Sequence, residues 1–119
     1  MRVLIVESNQ NLGELWQRHL IRQDHSVTLA AGQSDAVNSL LSGPYDVILL
    51  DLVLDEGSAL AVADFASYRQ PDARVIFVTN TTFFSDGSIF MHSPNACAYV
   101  QSDAPPEDLA AMVEHYGRN

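Results

Sequence analysis

The most informative segment of this chain is DVILLDLVL, residues 46–54. Its unbroken apolar run from Val47 to Leu50 is typical of a strand that is buried on both faces of a sheet. A Gly-Pro pair precedes this segment and the polar sequence DEGS follows it, so the strand has clear limits. Asp51 stands at the carboxyl end of the strand, where open parallel sheets bind their ligands. Because a carboxylate between two leucines is costly to desolvate, we expect a functional role for Asp51; the alternative is a capping or turn aspartate.

The rest of the chain alternates strand patterns with amphipathic helix patterns. The other predicted strands are residues 2–6, 26–30, 74–78 and 96–100. Helices are predicted after residues 9–11, from residue 33, from residues 57–58 and from the Pro-Pro pair at 105–106. Residues 83–93 are predicted to form a short or irregular helix, because SDGS interrupts their apolar side chains. This alternation predicts an α/β fold, a doubly wound five-stranded parallel sheet of order 2-1-3-4-5 with the weakly apolar second strand at an edge.

The composition limits the class of protein. A chain of 119 residues with 47% hydrophobic residues is expected to form one domain, residues 1–119. No apolar run approaches the ~20 residues of a membrane span and no signal peptide is apparent, so we expect a cytoplasmic protein without membrane contact. The net charge of −9 argues against nucleic-acid binding. The single cysteine, Cys97, excludes a disulfide framework and is expected to be buried, and the four histidines lack metal-ligand spacing.

Three of the predicted strands end in polar residues. Glu7 and Ser8 follow the first strand, Asp51 ends the third, and Thr79 ends the fourth. Because these three strands are neighbours in the predicted order, their carboxyl ends meet in one crevice. A carboxylate beside a second acid and a hydroxyl group suits a site for a metal ion and a phosphoryl group.

Nearly all of the chain resembles the receiver domain of bacterial two-component response regulators, the CheY-like family. The resemblance is carried by four motifs, which are VLIVE at residues 3–7, DVILLDLVLDEGSAL at 46–60, VIFVT at 75–79 and NACAYV at 95–100. Each motif alone is unspecific, but the four occur in the right order and at the right spacing. The resemblance implies a flavodoxin-like receiver fold and a role in phosphorelay signal transduction.

The resemblance also implies roles for individual residues. Asp51 would accept a phosphoryl group from a histidine kinase, Thr79 would be the switch hydroxyl and Tyr99 the switch aromatic. A Mg²⁺ ion would be held by Glu7, by Asp51 and by the backbone carbonyl of Val53. A purely structural interpretation stays open for each: Thr79 could satisfy a backbone group, Tyr99 could belong to the core, and Glu7 could be a solvated turn acid.

Two positions depart from the family's pattern. Ser8 stands where the family has a second metal-binding acid, and Ser102 stands where it has the lysine that grips the phosphoryl oxygens. Asp103 follows in place of the usual proline, and the chain contains no lysine. A hydrogen bond to a charged group is worth roughly 1.5–3 kcal/mol, so the coupling of phosphorylation to a switched state should weaken. We therefore expect a degenerate site with weak Mg²⁺ binding, in a phosphorylation-independent pseudo-receiver that acts by protein contacts.

The expected role is that of a stand-alone signalling module and not of an enzyme. Its partner would be a histidine kinase, a phosphotransfer protein, a target protein or a second copy of the chain. By resemblance, the contact surface includes Tyr99 and the region 83–91, whose large apolar side chains are Phe83, Phe84, Ile89, Phe90 and Met91. An exposed apolar cluster of this kind usually marks a protein contact; the alternative is that these side chains pack inward.

A different class of function, a flavodoxin-like domain that binds flavin or another small ligand, is the second hypothesis. Such a domain needs a phosphate loop rich in Ser, Thr and Gly after its first strand. Here the corresponding sequence is ESNQN, residues 7–11, and no glycine occurs before Gly13. Flavin absorption bands in the purified protein would favour this alternative.

Overall fold

The computed structural model describes residues 1–79 and 94–117. Its strands are β1 (Arg2–Val6), β2 (Ser26–Ala30), β3 (Val47–Asp51), β4 (Arg74–Thr79) and β5 (Ala96–Gln101). Its helices are α1 (Gln10–Arg22), α2 (Gln33–Ser42), α3 (Ala59–Arg69) and α4 (Pro106–Gly117). The irregular helix predicted for residues 83–93 and the apolar region 83–91 lie outside the described residues.

The five strands form one parallel sheet in the order β2-β1-β3-β4-β5, which confirms the predicted topology. The apolar run of β3 lies at the centre, where Ile48 is in register with Leu4 of β1 and with Val75 of β4. The weaker strand β2 lies at one edge, as its alternating pattern predicts. This order places the carboxyl ends of β1, β3 and β4 side by side.

The sheet separates two apolar clusters, because successive side chains of a strand point to opposite faces. On one face, α2 and α3 cover a cluster that includes Leu4, Ile48 and Phe77. On the other face, α1 and α4 cover a cluster that includes Val3, Trp16, Leu49, Ile76 and Val113. Both clusters are sealed from solvent, so every central strand is buried on both faces, as expected for a doubly wound sheet.

The helices next to the sheet's carboxyl edge begin at identifiable capping groups. Asn9 caps α1 by accepting a hydrogen bond from the amide of Leu12 at 3.1 Å, and Ser58 is the N-cap residue of α3. At the start of α2 the N-cap residue is Gly32, which has no side chain to offer. The side chain of Glu56 takes over this role, since its Oε1 accepts from the amide of Ser34 at 2.9 Å and its Oε2 accepts from the Ser34 hydroxyl at 3.2 Å.

The loop that follows β3 is therefore tied to the start of α2. The amide of Gln33 donates to the carbonyl of Glu56 at 3.0 Å, and the amide of Ser58 donates to the Gln33 side chain at 2.8 Å. Between these ties Gly57 adopts a φ of +82°, where a Cβ atom would overlap the Gln33 side chain. These contacts fix the path of the chain immediately after Asp51.

His25 and Cys97 lie away from the carboxyl edge of the sheet. His25 is buried and its Nε2 lies 2.8 Å from Oε1 of Glu114, so it joins the turn after α1 to α4. Cys97 is only half-buried in β5, where we expected it to be buried. The reason is that β5 is an edge strand whose residues all keep some exposure; partial burial still raises the pKa of the Cys97 thiol.

Candidate functional site

A cavity of about 460 Å³ opens at the carboxyl edge of the sheet. It contains five of the residues that the sequence analysis discusses for phosphoryl and metal chemistry, and they follow or end β1, β3 and β5: Glu7, Ser8, Asp51, Val53 and Ser102. The residues that line it are Glu7, Ser8, Asn9, Leu12, Asp51, Val53, Asp55 and Ser102. Glu7, Ser8 and Asp51 meet in this cavity as the sequence predicts, whereas Thr79 of β4 does not line it and Ser102, after β5, does.

Glu7 forms the buried wall of this cavity. The side chain is only 3% exposed, so the alternative of a solvated turn acid is wrong; Glu7 directly follows β1, and the sheet and α1 enclose it. Its Oε2 accepts a hydrogen bond from the amide of Asn9 at 3.1 Å. Its Oε1 is buried, and no N–H or O–H group of the described residues donates to it.

The carboxyl groups of Glu7 and Asp51 lie within hydrogen-bonding reach of each other. Burial, together with the hydrogen bond and the charge of Asp51, raises the pKa of Glu7 to about 8, although the Asn9 amide opposes the shift. Two carboxyl groups can form a hydrogen bond only when one carries a proton. At neutral pH the carboxyl group of Glu7 therefore carries a proton.

Asp51 ends β3 with its side chain half-buried. Its Oδ1 accepts a hydrogen bond from the amide of Val53 at 2.9 Å, and the amide of Leu52 donates to the carbonyl of Val78 at 2.9 Å. These two bonds turn the chain away from the sheet directly after Asp51. The carboxylate is thereby held at the mouth of the cavity, beside the backbone of Val53.

Ser8 has a role that the sequence did not reveal. Its hydroxyl donates to the carbonyl of Ala31 at 2.7 Å and accepts from the amide of Asp55 at 2.9 Å. One small side chain thus joins the loops that follow β1, β2 and β3. An acid at this position could not donate to the Ala31 carbonyl unless it were protonated. Ser8 therefore lacks the negative charge of an acid but makes a hydrogen bond that an ionised acid could not make.

Asp55 is a third carboxylate at the cavity, and sequence reasoning missed it. The Ser8 hydroxyl holds its backbone amide, and its side chain lines the cavity with Glu7 and Asp51. The signal that could have revealed it is the acidic pair in DEGS, directly after the strand that carries Asp51. On sequence alone, DEGS indicates only a turn.

The strands β4 and β5 contribute three predicted site residues that differ in their exposure to the cavity: Thr79, Tyr99 and Ser102. The amide of Ser102 donates to the carbonyl of Thr79 at 2.7 Å, and Ser102 lines the cavity. Thr79 ends β4 with only 2% exposure and is not among the lining residues. Tyr99 is half-buried in β5 and packs against the cluster under α2 and α3, on one side of the sheet.

The donors at the cavity fit a divalent cation only loosely. Within residues 1–79 and 94–117, no group of three or more His, Cys, Asp or Glu side chains is arranged to hold a metal ion. Glu7, Asp51 and the carbonyl of Val53 could hold Mg²⁺ if water completes its octahedral shell. The Oε1 atom of Glu7, which no described N–H group contacts, fits such an ion, but the proton of Glu7 would have to leave first.

No helix in the described part of the chain is both long and apolar enough to cross a membrane. No protein-family model matches the chain.

Curated relatives are found among bacterial regulators. The transcriptional regulatory protein DltR of Streptococcus agalactiae is 34% identical over 79 residues, which cover 66% of this chain and 35% of that protein. The response regulator SaeR of Staphylococcus aureus is 24% identical over 113 residues, which cover 95% of this chain and 49% of that protein. The chain thus spans between about a third and a half of the length of these relatives.

Solved structures match over almost the whole chain. A CheY-like response regulator receiver domain from Methanospirillum hungatei has a TM-score of 0.89 at 19% identity, with 98% of this chain and 93% of that chain covered. The N-terminal domain of a response regulator/sensory box/GGDEF protein from Carboxydothermus hydrogenoformans has a TM-score of 0.86 at 26% identity, with coverages of 99% and 94%. The response regulator TrrA of Thermotoga maritima, solved with Mg²⁺–BeF, has a TM-score of 0.83 at 23% identity and covers 97% of each chain.

Proposed function

The chain is a receiver domain of the CheY-like response-regulator family, and from this premise we propose that it passes on a signal in a two-component phosphorelay chiefly through protein contacts. The observation that carries the proposal is the single cavity in which Glu7, Asp51, Val53 and Ser102 meet. Asp51 is the proposed phosphoacceptor, with Thr79 as switch hydroxyl and Tyr99 as switch aromatic. In this proposal the domain itself is a signalling module and not an enzyme.

The proposed phosphoryl transfer requires a free carboxylate oxygen on Asp51. One oxygen accepts a hydrogen bond from the Val53 amide, which orients the group, and the carboxyl group of Glu7, whose pKa is raised, is hydrogen-bonded to Asp51. The proton of Glu7 has to leave before Glu7 can bind a metal ion. Bound Mg²⁺ would supply positive charge to the phosphoryl oxygens. Ser102 can offer only a neutral hydroxyl donor to the same oxygens.

Three features support weak phosphorylation. Ser8 is engaged with Ala31 and Asp55 and carries no charge for a metal. Asp55 adds a negative charge at the cavity, which opposes a phosphoryl dianion. The chain has no lysine that could offset these charges. In this proposal the domain therefore passes on its signal mainly by binding a partner and less by being phosphorylated.

The test is incubation of the purified chain with Mg²⁺ and acetyl phosphate, followed by intact-mass measurement. We expect a minor fraction that gains one phosphoryl group, because the metal and the phosphoryl group each lack a charged ligand. Asp51→Asn should abolish even this fraction. Rapid and complete labelling of the wild type would show that the cavity works in spite of its substitutions.

The same labelling experiment can be carried out on variants that restore the charged residues of the family's pattern at positions 8 and 102. Ser102→Lys should label faster than the wild type, since an ammonium group contributes a charge-assisted hydrogen bond. Ser8→Asp combined with Ser102→Lys should gain metal affinity but lose the tie to Ala31, so its unfolding midpoint should be compared with that of the single variant. If neither variant labels faster, the assignment of positions 8 and 102 is wrong.

The proposed partners are a histidine kinase or a phosphotransfer protein, with no direct contact to nucleic acid or membrane, and the proposed location is the cytoplasm. The strongly acidic surface favours a basic partner surface, because complementary potentials steer association.

A further inference from the structure

The first turn of α2 takes its hydrogen-bond acceptors from another loop. The N-cap residue is Gly32, and no side-chain hydrogen bond from that residue caps the helix. Because the leading amides of a helix have no intrahelical acceptor, they need one from elsewhere in the fold. Here the carbonyl of Glu56 accepts from the amide of Gln33 at 3.0 Å, and Oε1 of Glu56 accepts from the amide of Ser34 at 2.9 Å. The start of α2 is therefore held by the loop that follows Asp51.

The same loop begins at the carboxylate of Asp51. Its Oδ1 accepts from the amide of Val53 at 2.9 Å, and the Ser8 hydroxyl accepts from the amide of Asp55 at 2.9 Å. Glu56 directly follows Asp55, so hydrogen bonds hold the short segment from Asp51 to Glu56 along its length. A change in the bond that Asp51 makes therefore reaches Glu56 through a few tethered residues.

The opposite end of α2 is anchored to α3 and not to the site. Gln70, the C-cap residue of α3, donates from Nε2 to the carbonyls of Leu40 and Gly43 at 2.8 and 2.7 Å. Its Oε1 accepts from the amide of Tyr45 at 2.8 Å. These four residues do not line the cavity that contains Asp51. One end of α2 is thus fixed to α3, and the other depends on the loop after Asp51.

We propose that the first turn of α2 responds to the state of the Asp51 carboxylate, with Glu56 as the positioning residue that couples them. The inference rests on the proposed function and names how the same site is read out. In one state Oδ1 of Asp51 holds the Val53 amide and Glu56 caps α2; in the other this bond is lost, Glu56 shifts and the turn frays. Because α2 packs against β1 and β2, this response lies on the opposite side of Asp51 from β5, which carries Tyr99.

The first test measures amide hydrogen exchange by NMR in the full ¹⁵N-labelled chain, without metal or phosphodonor. Asp51→Ala removes the acceptor of the Val53 amide, and we expect the Ser34 amide to exchange about fivefold faster, which corresponds to about 1 kcal/mol, the typical worth of a helix cap. Asp51→Asn keeps an oxygen for that amide and should change the rate less than about twofold.

The Tyr45 amide, at the anchored end of α2, is the internal control. Its exchange rate should stay the same in both Asp51 variants, because its acceptor is Gln70. Unchanged exchange of Ser34 in Asp51→Ala would overturn the proposal. Equal acceleration of Ser34 and Tyr45 would overturn it as well, since it would show a general loss of stability in place of a local response.

A double variant tests the role of Glu56. Glu56→Ala alone removes the acceptor of the Ser34 amide, so the further change Asp51→Ala should then leave the Ser34 rate unchanged. A helix cap without a coupling role would instead give additive effects, and additivity would overturn the assignment of Glu56. Glu56→Gln retains an amide oxygen for Ser34 and should restore most of the response to Asp51→Ala.

The coupling should also act in the reverse direction, because a coupling free energy is the same from either end. Glu56→Ala should speed the exchange of the Val53 amide by about the same factor, and this measurement decides the question even where Asp51→Ala folds poorly. Asp72→Asn, an exposed acid in the loop between α3 and β4, should leave the Ser34 and Val53 rates unchanged. An unchanged Val53 rate in Glu56→Ala would overturn the proposal. Because none of these measurements contains a phosphodonor, their failure is distinguishable from failure of Asp51 phosphorylation.

Discussion

At the scale of single residues, Glu7 departs furthest from what its sequence position implies. It lies in a polar stretch, yet the sheet and α1 bury it beside Asp51, and its pKa rises to about 8. Glu7 holds a proton at neutral pH, so the cavity is less negative than its three acids indicate. Any cation that enters has to displace this proton, and binding is then coupled to pH.

The raised pKa of Glu7 has a predictable effect on stability. Between its ordinary value of 4.5 and about 8, the folded chain holds a proton that the unfolded chain has released. Stability should therefore decrease as the pH rises through this window and level off above it. Glu7→Gln, which mimics the protonated form, should remove this part of the slope when urea midpoints are measured at several pH values.

Other acids titrate in the same range, so the informative quantity is the difference between wild type and variant. Asp72→Asn is the control, because Asp72 is exposed and its replacement should leave the slope intact. A steeper decline in Glu7→Gln than in the wild type would show that the proton is not held at Glu7.

At the scale of elements, the carboxyl edge is held by contacts between loops that are distant in sequence. Glu56 caps α2 from 22 residues away, and the Ser8 hydroxyl joins the loops after β2 and β3. These contacts set the position of Asp55 and the path that leaves Asp51. The geometry of the site is therefore a property of the loops as well as of the sheet.

Removal of the Glu56 cap should destabilise the protein. Glu56→Ala leaves the first turn of α2 without a side-chain acceptor, and we expect a loss of about 1–2 kcal/mol in the free energy of unfolding, measured with urea. Glu56→Gln retains an amide oxygen for the Ser34 amide and should lose less. Equal stability of Glu56→Ala and the wild type would show that water satisfies this helix end as well as Glu56 does.

The sequence predicted the elements better than the contacts between them. The apolar run of residues 47–50 is typical of a central strand, and the contact between Asn9 and the Leu12 amide joins residues that are only three positions apart. Both features depend on local sequence, so both were predictable. The cap of α2, the tie made by Ser8 and the burial of Glu7 depend on groups that meet only in the folded chain. They determine the electrostatics of the cavity, which explains why most of its residues were predicted but Asp55 and the proton on Glu7 were not.

At the scale of the whole molecule, the surface combines a large negative charge with few exposed apolar groups in the described part. The largest exposed apolar side chains there are Ile21, Leu41, Val53, Leu60 and Tyr68. They lie on α1, α2 and α3 and on the loop after β3, and single exposed apolar residues of this kind are common on protein surfaces. The dense apolar sequence at 83–91 thus remains the strongest basis for a contact between whole molecules.

We predict that the protein self-associates, or binds a partner, through the region 83–91 independently of phosphorylation. Light scattering of the wild type should give a mass above that of the monomer, and Phe84→Asp or Phe90→Asp should reduce it. Tyr68→Asp is the matched control, since Tyr68 is an 85% exposed aromatic residue on α3. A monomeric wild type that binds no kinase or phosphotransfer protein would contradict the prediction, as would variants that unfold.

The two clusters that flank the sheet lead to a convenient spectroscopic property. Trp16 is the only tryptophan of the chain and is 1% exposed under α1, so its fluorescence should be blue-shifted and should report on the α1–α4 face alone. Circular dichroism reports on all helices. Because the same strands supply both clusters, the emission change and the loss of ellipticity should coincide during urea unfolding. Separate transitions would mean that one half of the protein can melt while the other persists.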